Sequence, residues 1–91
     1  MVVLFEFDPA KDEINFEKHG VRLALAEFLF AGAHTITVDD RFEYGETRNV
    51  AVGLIADRVF VCVYVDRFGS RRVISLRKAN SREVKRHGQG N

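Results

Sequence analysis

The chain has 91 residues, of which 46% are hydrophobic and 30% are charged, so we expect residues 1–91 to fold as a single globular domain. A lone cysteine, Cys62, excludes an internal disulfide and a cysteine-based zinc site. The longest apolar run, Val59–Val65, is too short to cross a membrane. The N-terminus lacks the basic flank of a signal peptide, and a cytoplasmic location without membrane contact is therefore predicted.

The net charge of +1 conceals an uneven distribution. Residues 1–66 carry six basic side chains against twelve acidic ones, whereas residues 67–91 carry eight basic side chains against Glu83 alone. Such an asymmetry is typical of chains that bind a polyanion. It is equally expected where charges of the two parts pair on one solvated surface, and composition does not separate these alternatives.

The first third of the sequence predicts a short strand and two helices. A β-prone run from Val2 to Phe7 ends at Asp8, which can cap a helix that starts at Pro9, continues to Lys18 and stops at Gly20. A second helix is predicted over Val21–Phe30. Its apolar residues at i, i+4, i+7 and i+8 would be buried, namely Val21, Leu25, Phe28 and Leu29.

The rest of the sequence alternates like a sheet. Thr35–Val38 reads as a strand and Asp39–Gly45 as an acidic loop. Three further strands follow, with a tight turn at Ala56-Asp57, and Ser81 would cap a last short helix; the strands are Thr47–Ile55, Arg58–Asp66 and Arg71–Arg77. The predicted class is α+β, with two N-terminal helices on an antiparallel sheet of about four to five strands.

The segment Arg71–Lys78 carries the most informative polar pattern. Regular alternation puts Ser75 and Arg77 on one face, where a hydroxyl and a guanidinium can bind a phosphate. It puts Arg72 on the other face, so only one of the two arginines joins Ser75 unless a β-bulge intervenes. The competing interpretation is an edge strand whose arginines only discourage aggregation.

Two shorter combinations also carry reactive side chains. Lys18 and His19 close the first helix, where a helix C-terminus favours the imidazolium form, although a basic pair there also simply caps terminal carbonyls. Glu46 and Arg48 lie two residues apart on one strand face. This spacing is expected if an ion pair orients Arg48, and it is equally expected of an ordinary surface ion pair. The three histidines have no metal-ligand spacing, and no nucleotide-binding motif occurs, so neither a metal nor a cofactor is expected.

Together these pieces resemble the BrnT-type toxins of bacterial toxin–antitoxin modules. The similarity extends from Phe5 to Glu83 in order and spacing, and it rests on Phe5-Glu6-Phe7-Asp8-Pro9-x-Lys11, Asn15-x-x-Lys18-His19-Gly20-Val21, Glu46-Thr47-Arg48, Gly53, Val73-Ile74-Ser75-Leu76-Arg77-Lys78-Ala79 and Glu83. Phe7 replaces the family's usual tryptophan, and Ala24-Leu25 stands where a pair of glutamates is common. The tail after Lys85 lacks the tyrosine often seen in the family.

The resemblance implies a RelE-like fold and an endoribonuclease that arrests translation. It also implies neutralisation by a BrnA-like antitoxin, which binds operator DNA and carries the toxin with it, and a toxin dimer within that complex is compatible with the apolar second helix. Metal-free RNA cleavage needs a base, an acid and cations around the phosphate. On that basis the expected catalytic residues are Lys18, His19, Glu46, Arg48, Arg72, Ser75 and Arg77, with Lys78, Arg71 and Arg82 binding substrate.

The roles of acid and base stay open at this point. His19 or Glu46 is expected as the base, and Lys18 or His19 as the acid. A different class of function is also compatible with the sequence: a non-catalytic module that binds nucleic acid or a partner through its basic residues 67–91. That alternative predicts binding with a steep salt dependence and no strand scission.

Overall fold

A computed structural model describes residues 4–39 and 47–89. In chain order, the elements are strand β1 (Leu4–Glu6), helix α1 (Pro9–His19), a 3₁₀ turn (Leu23–Leu25), helix α2 (Ala26–Ala31), strands β2 (His34–Asp39), β3 (Arg48–Ile55), β4 (Arg58–Arg67) and β5 (Ser70–Lys78), and helix α3 (Ser81–Gln89). The predicted loop over Asp39–Gly45 lies almost entirely outside the described residues. The α+β class and the number of strands agree with the prediction.

The five strands form one sheet in the order β1-β5-β4-β3-β2. Strands β2 to β5 are antiparallel neighbours, and the β3–β4 hairpin turns through Ala56 and Asp57, whose φ angles of 50° and 69° fit the predicted tight turn. The prediction of a wholly antiparallel sheet is wrong, because β1 pairs with β5 in parallel. β1 is joined to the sheet through helices rather than a hairpin, so its direction is not fixed by a tight turn.

Helix α1 begins and ends through the side chains and backbone that its sequence predicts. The carboxylate of Asp8 accepts a hydrogen bond from the Ala10 amide at 2.9 Å, and Pro9 occupies the first turn. Gly20, at φ 73°, adopts the left-handed conformation and donates its N–H to Phe16 O at 2.8 Å. These caps fix where Lys18 and His19 lie.

The predicted second helix is shorter and rotated relative to its prediction. Arg22 is extended, and the chain then makes a 3₁₀ turn before α2 begins at Ala26. Leu23 and Ala26 are one 3₁₀ turn apart, and Ala26 and Leu29 lie at i and i+3 on one face of α2, so the buried side chains are Leu23, Ala26 and Leu29. The predicted burial of Phe28 is wrong, since 61% of its side chain is exposed.

The core lies between the two N-terminal helical segments and one face of the sheet. We call that side the helix face; it carries Ala51, Cys62 and Leu76, which pair across three strands and are fully buried. Burial raises the pKa of the Cys62 thiol to about 12. Among the described residues, no helix is long and apolar enough to span a membrane.

Helix α1 is attached to the sheet at the outer edge of β5 by a buried side chain. β1 pairs with β5 only as far as Arg72, and beyond that point no strand of the described residues adjoins this edge. The amide of Asn15, 4% exposed, takes up this position: its Oδ1 accepts from Leu76 N at 3.1 Å, and its Nδ2 donates to Leu76 O and Val21 O at 2.9 Å each. The second half of β5 thus faces α1.

Candidate active site

The sheet presents a second face, opposite the helix face, where side chains align in three rows. Gly53 shows which residues of β3 point to this face. A Cβ added at Gly53 would meet Leu29 of α2, so Gly53 faces the helices. Successive residues of a strand point to opposite faces, so the positions on either side of Gly53 point to the second face. Two rows cross four strands, namely Arg77–Val61–Val52–Thr35 and Ser75–Val63–Val50–Thr37. The third row consists of the pairs Arg72–Val65 and Arg48–Asp39, which lie at the same level because Asn49, next to Arg48, pairs with Tyr64, next to Val65. Each row starts with a polar residue on β5, and valines follow on β4 in all three rows.

A β-bulge in β5 brings both arginines to this face. Ser75 pairs with Val63, whereas the next residue of β4 pairs with Val73, which leaves Ile74 as an extra residue. The extra residue inverts the alternation, so Arg72 points to the same side as Ser75 and Arg77. The sequence had left these arginines as alternatives, and the register removes that conflict. Arg72 and Arg77 lie one row to either side of Ser75.

Arg77 is held in place by α3. Its Nη1 and Nη2 donate to Glu83 Oε1 and Oε2, both at 2.7 Å, and the arginine side chain keeps 36% exposure. This bidentate bond lowers the pKa of the Glu83 carboxyl to about 2. Nη1 also donates to Lys78 O at 3.4 Å, so three of the five N–H groups of the guanidinium are used; Arg77 is oriented and two N–H groups remain for an anion.

The same glutamate begins helix α3. Glu83 Oε1 accepts from the Asn80 amide at 2.9 Å, and Asn80 Oδ1 accepts from the Glu83 amide at 2.8 Å, which is a reciprocal capping box. The prediction that Ser81 caps this helix is therefore wrong by one residue: Asn80 offers the acceptor, and the helix begins at Ser81. Glu83 thereby connects the start of α3 to the position of Arg77.

Arg72 is less tightly constrained. Its Nε lies 3.3 Å from Glu6 Oε1, at an angle that does not make a hydrogen bond, and that nitrogen is buried with no hydrogen-bond partner among residues 4–39 and 47–89. The side chain is 32% exposed. The exposed part of this guanidinium can still donate hydrogen bonds to an anion.

Lys18, His19 and Ser75 line one groove at the outer edge of β5. The groove has a volume of ≈ 240 Å³ and is also lined by Lys11, Ile14, Asn15 and Ile74. The bulge that realigns the arginines also places Ile74 in this groove, and the Asn15 bonds to Leu76 hold α1 against it. The exposed side chains of Lys18 and His19 thus line the same groove as the hydroxyl of Ser75, which lies between Arg72 and Arg77 on β5.

The remaining predicted residues are more widely distributed. Arg48 begins β3 on the second face, at the level of Arg72 but two strands away, or roughly 10 Å. Glu46 lies outside the described residues. Arg71 lies on the helix face, bonded to Asp66 at 2.7 and 3.1 Å and stacked between the rings of Phe30 and Tyr64.

Lys78 and Arg82 are exposed at the end of β5 and the start of α3. Both flank the segment that joins β5 to α3. The structure therefore assembles Lys18, His19, Arg72, Ser75 and Arg77 around one strand, and it leaves Arg71 on the opposite face of the sheet.

Two elements of this arrangement were not assigned a role from the sequence. Asn15 appeared only as part of the family motif, yet it fixes α1 to β5. Glu83 was likewise only a motif position, and it orients Arg77. The available signal for Asn15 was a polar residue in a weakly apolar helix. For Glu83 it was the spacing of three residues after Asn80, which is that of a capping box.

A family model matches residues 7–83 of the chain and is described as "Ribonuclease toxin, BrnT, of type II toxin-antitoxin system". The match includes α1, α2, strands β2 to β5 and the first turn of α3, and it leaves out β1. Among curated proteins, none matches the chain significantly.

Proposed function

Since the chain belongs to the BrnT family of ribonuclease toxins of type II toxin–antitoxin systems, we propose that it cleaves RNA without a metal ion, at the groove between α1 and β5. The observation that carries this proposal is the convergence on Ser75. The β5 arginines flank it along the strand, and Lys18 and His19 share a groove with it. A base, an acid and cationic phosphate ligands are the groups that such a reaction needs.

Arg77 and Ser75 bind the scissile phosphate in this proposal. They occupy neighbouring rows of the second face, roughly 7 Å apart along the strand. Arg77 is oriented by Glu83 before substrate arrives, so its guanidinium needs little rearrangement to stabilise the charge that develops on the phosphorane. Arg72, in the row on the other side of Ser75, binds the adjoining part of the RNA backbone together with Arg48.

Lys18 and His19 transfer the protons. His19 takes the proton of the ribose 2′-hydroxyl, whose oxygen attacks phosphorus and forms the new P–O2′ bond. The P–O5′ bond breaks, and Lys18 gives a proton to the departing 5′-oxygen. The products are a 2′,3′-cyclic phosphate and a 5′-hydroxyl, so the reaction needs no water and no external oxidant or reductant.

The antitoxin of the module, for which a BrnA-like protein is the candidate, inhibits by covering this basic edge. Lys18, His19, Lys78 and Arg82 are exposed and attract acidic groups of a partner as well as phosphate. Operator DNA would be contacted through that antitoxin. A toxin dimer in the assembly has a ready apolar contact in Phe28, which is largely exposed on α2.

The proposal is tested by incubating the purified chain with RNA in EDTA and identifying the product ends. We expect 2′,3′-cyclic phosphate and 5′-hydroxyl ends, and an RNA with a 2′-deoxynucleotide at the cleaved position should resist. His19→Ala should lower the rate at least ~100-fold, as loss of a general base does. Glu17→Ala, an exposed change on the same helix, should not.

Several results would contradict the proposal. Cleavage of the 2′-deoxy substrate would exclude attack by the 2′-hydroxyl. Binding of RNA with a steep salt dependence but no scission, in both EDTA and magnesium, would favour the non-catalytic binding module instead.

A further inference from the structure

A cavity lies between α3 and the second face of the sheet, beside the guanidinium of Arg77. It has a volume of ≈ 240 Å³. Its floor consists of Val50, Val52 and Val61, and the hydroxyls of Thr35 and Thr37 lie at its far side. Nothing in the cleavage chemistry described above uses this cavity.

The sheet register connects the cavity directly to the phosphate site. Arg77 pairs with Val61, Val61 with Val52, and Val52 with Thr35, so one row runs from the guanidinium across the cavity floor. The centre of the floor is therefore about one to two strand spacings, roughly 5–10 Å, from β5. Glu83 lines the cavity and also bonds to Arg77, so the two sites have a common wall.

The cavity walls favour a flat group with polar edges. Three valine side chains offer an apolar surface on which an aromatic ring can pack, and two hydroxyls can each donate or accept a hydrogen bond. His87, on the α3 side, has a buried Nδ1 that makes no hydrogen bond to any described residue. An unpaired buried nitrogen is costly, and a polar group on a ligand in the cavity would give it a partner. The volume falls below the roughly 300–1,000 Å³ of pockets that take larger ligands.

We propose that this cavity binds one unpaired nucleobase of the RNA, adjacent to the phosphate on Arg77. This inference rests on the proposed ribonuclease function and adds a base-binding subsite to it. The base packs on the valines, and its polar edge meets the threonine hydroxyls and the His87 nitrogen. Recognition of splayed-out bases by packing and edge hydrogen bonds is the common mode for single-stranded RNA. The cavity thus contributes to the choice of cleavage position.

The direct test is a methyl NMR titration of the full chain, carrying ¹³C-labelled valines, with each of the four nucleoside 3′-monophosphates and with ribose 5-phosphate. We expect the methyl signals of Val50, Val52 and Val61 to shift with at least one nucleotide and to stay in place with ribose 5-phosphate. The core residue Val73, on the helix face, is the internal control. Equal shifts with ribose 5-phosphate, or no shift of the three valines at saturation, would overturn the inference.

A matched pair of substitutions gives a second readout. Val52→Phe fills the cavity, whereas Leu54→Phe adds a similar ring to the same face of β3 at an exposed position that does not line it. Val52→Phe should weaken binding of the preferred nucleotide about tenfold or more, because the new ring takes the space of the base. Leu54→Phe should not, and thermal unfolding confirms that both variants fold.

These experiments separate the inference from the function on which it rests. If the chain cleaves RNA and nucleotides leave the valines unaffected, the base site is wrong and the cleavage proposal stands. If nucleotides bind at the valines but RNA is not cut under any condition, the cleavage proposal is wrong. If Val52→Phe leaves nucleotide affinity unchanged while it remains folded, the cavity is not the base site.

Discussion

At the scale of single residues, the Asn15 side chain forms the backbone hydrogen bonds that a neighbouring strand would otherwise form with Leu76 at the edge of β5. Its amide makes three hydrogen bonds, two of them to the backbone of Leu76 and one to Val21 O. An aliphatic residue of similar size would bury as well but would leave the β5 edge unpaired, and buried backbone groups without partners are costly. The position of Lys18 and His19 beside Ser75 depends on this attachment.

We therefore expect Asn15→Ala to lower the free energy of unfolding by about 2–4 kcal/mol, because the N–H of Leu76 loses its acceptor in a buried place. Urea unfolding measures the loss. Glu17→Ala, exposed on the same helix, should change the stability by no more than about 0.5 kcal/mol. A loss for Asn15→Ala as small as that of the control would show that α1 is held by other contacts.

At the scale of elements, local signals predicted the helix ends and hairpins well but predicted packing less well. Asp8, Pro9, Gly20 and the turn at Ala56-Asp57 act through their own backbone and near neighbours, so sequence suffices to place them. The β5 bulge and the parallel pairing of β1 depend on residues distant in sequence. The alternation of β5 therefore gave the wrong face for Arg72 until the register with β4 was known.

The contact between α2 and β3 gives a prediction at this scale. A Cβ added at Gly53 would lie 2.9 Å from His34 Cβ, 3.1 Å from Ala33 O and 3.3 Å from Leu29 Cγ, so Gly53→Ala must displace the start of β2 and loosen the packing of α2 on β3. We expect a loss of about 1–3 kcal/mol, as is usual for overpacking. Gly32→Ala is the control, since its added Cβ meets nothing within 4 Å. Equal thermal unfolding midpoints for the two variants would contradict this packing.

The attachment of α3 predicts a dependence on pH. Hydrogen bonding by Arg77 lowers the pKa of Glu83 to about 2, from an ordinary value of 4.5. The native state thus holds this proton less tightly than the unfolded state, so the pair stabilises the fold above about pH 4.5, and its contribution is lost as the pH falls toward 2. Arg77 is 36% exposed, and solvent screening reduces the expected contribution to about 1–2 kcal/mol.

Comparison of the chain with Glu83→Gln tests this attachment by urea unfolding at several pH values. The stability difference should be largest near pH 6 and should shrink toward zero as the pH approaches 2. A difference that stays constant over that range would mean that the charge of Glu83 does not stabilise the native state.

At the scale of the whole molecule, the uneven charge distribution has two outcomes. Part of the basic segment is neutralised by acids, as Arg71 is by Asp66 and Arg77 by Glu83, which agrees with the pairing interpretation. The rows of the second face also set Arg72, Ser75 and Arg77 along one strand, next to the basic end of α1. Glu83 orients Arg77, and the second face, which Arg77 shares with Arg72 and Ser75, is the surface we assign to RNA.

In the proposed mechanism, Arg77 acts on the scissile phosphate and is more than part of a basic surface. The most direct measurement is the single-turnover rate of RNA cleavage in EDTA for the chain, for Arg77→Ala and for Lys85→Ala, an exposed cation on α3 outside the proposed site. We predict that Arg77→Ala lowers the rate at least ~100-fold, as loss of one stabilising donor does, and that Lys85→Ala stays within about threefold. Equal losses in two folded variants, or full activity of Arg77→Ala, would contradict the claim.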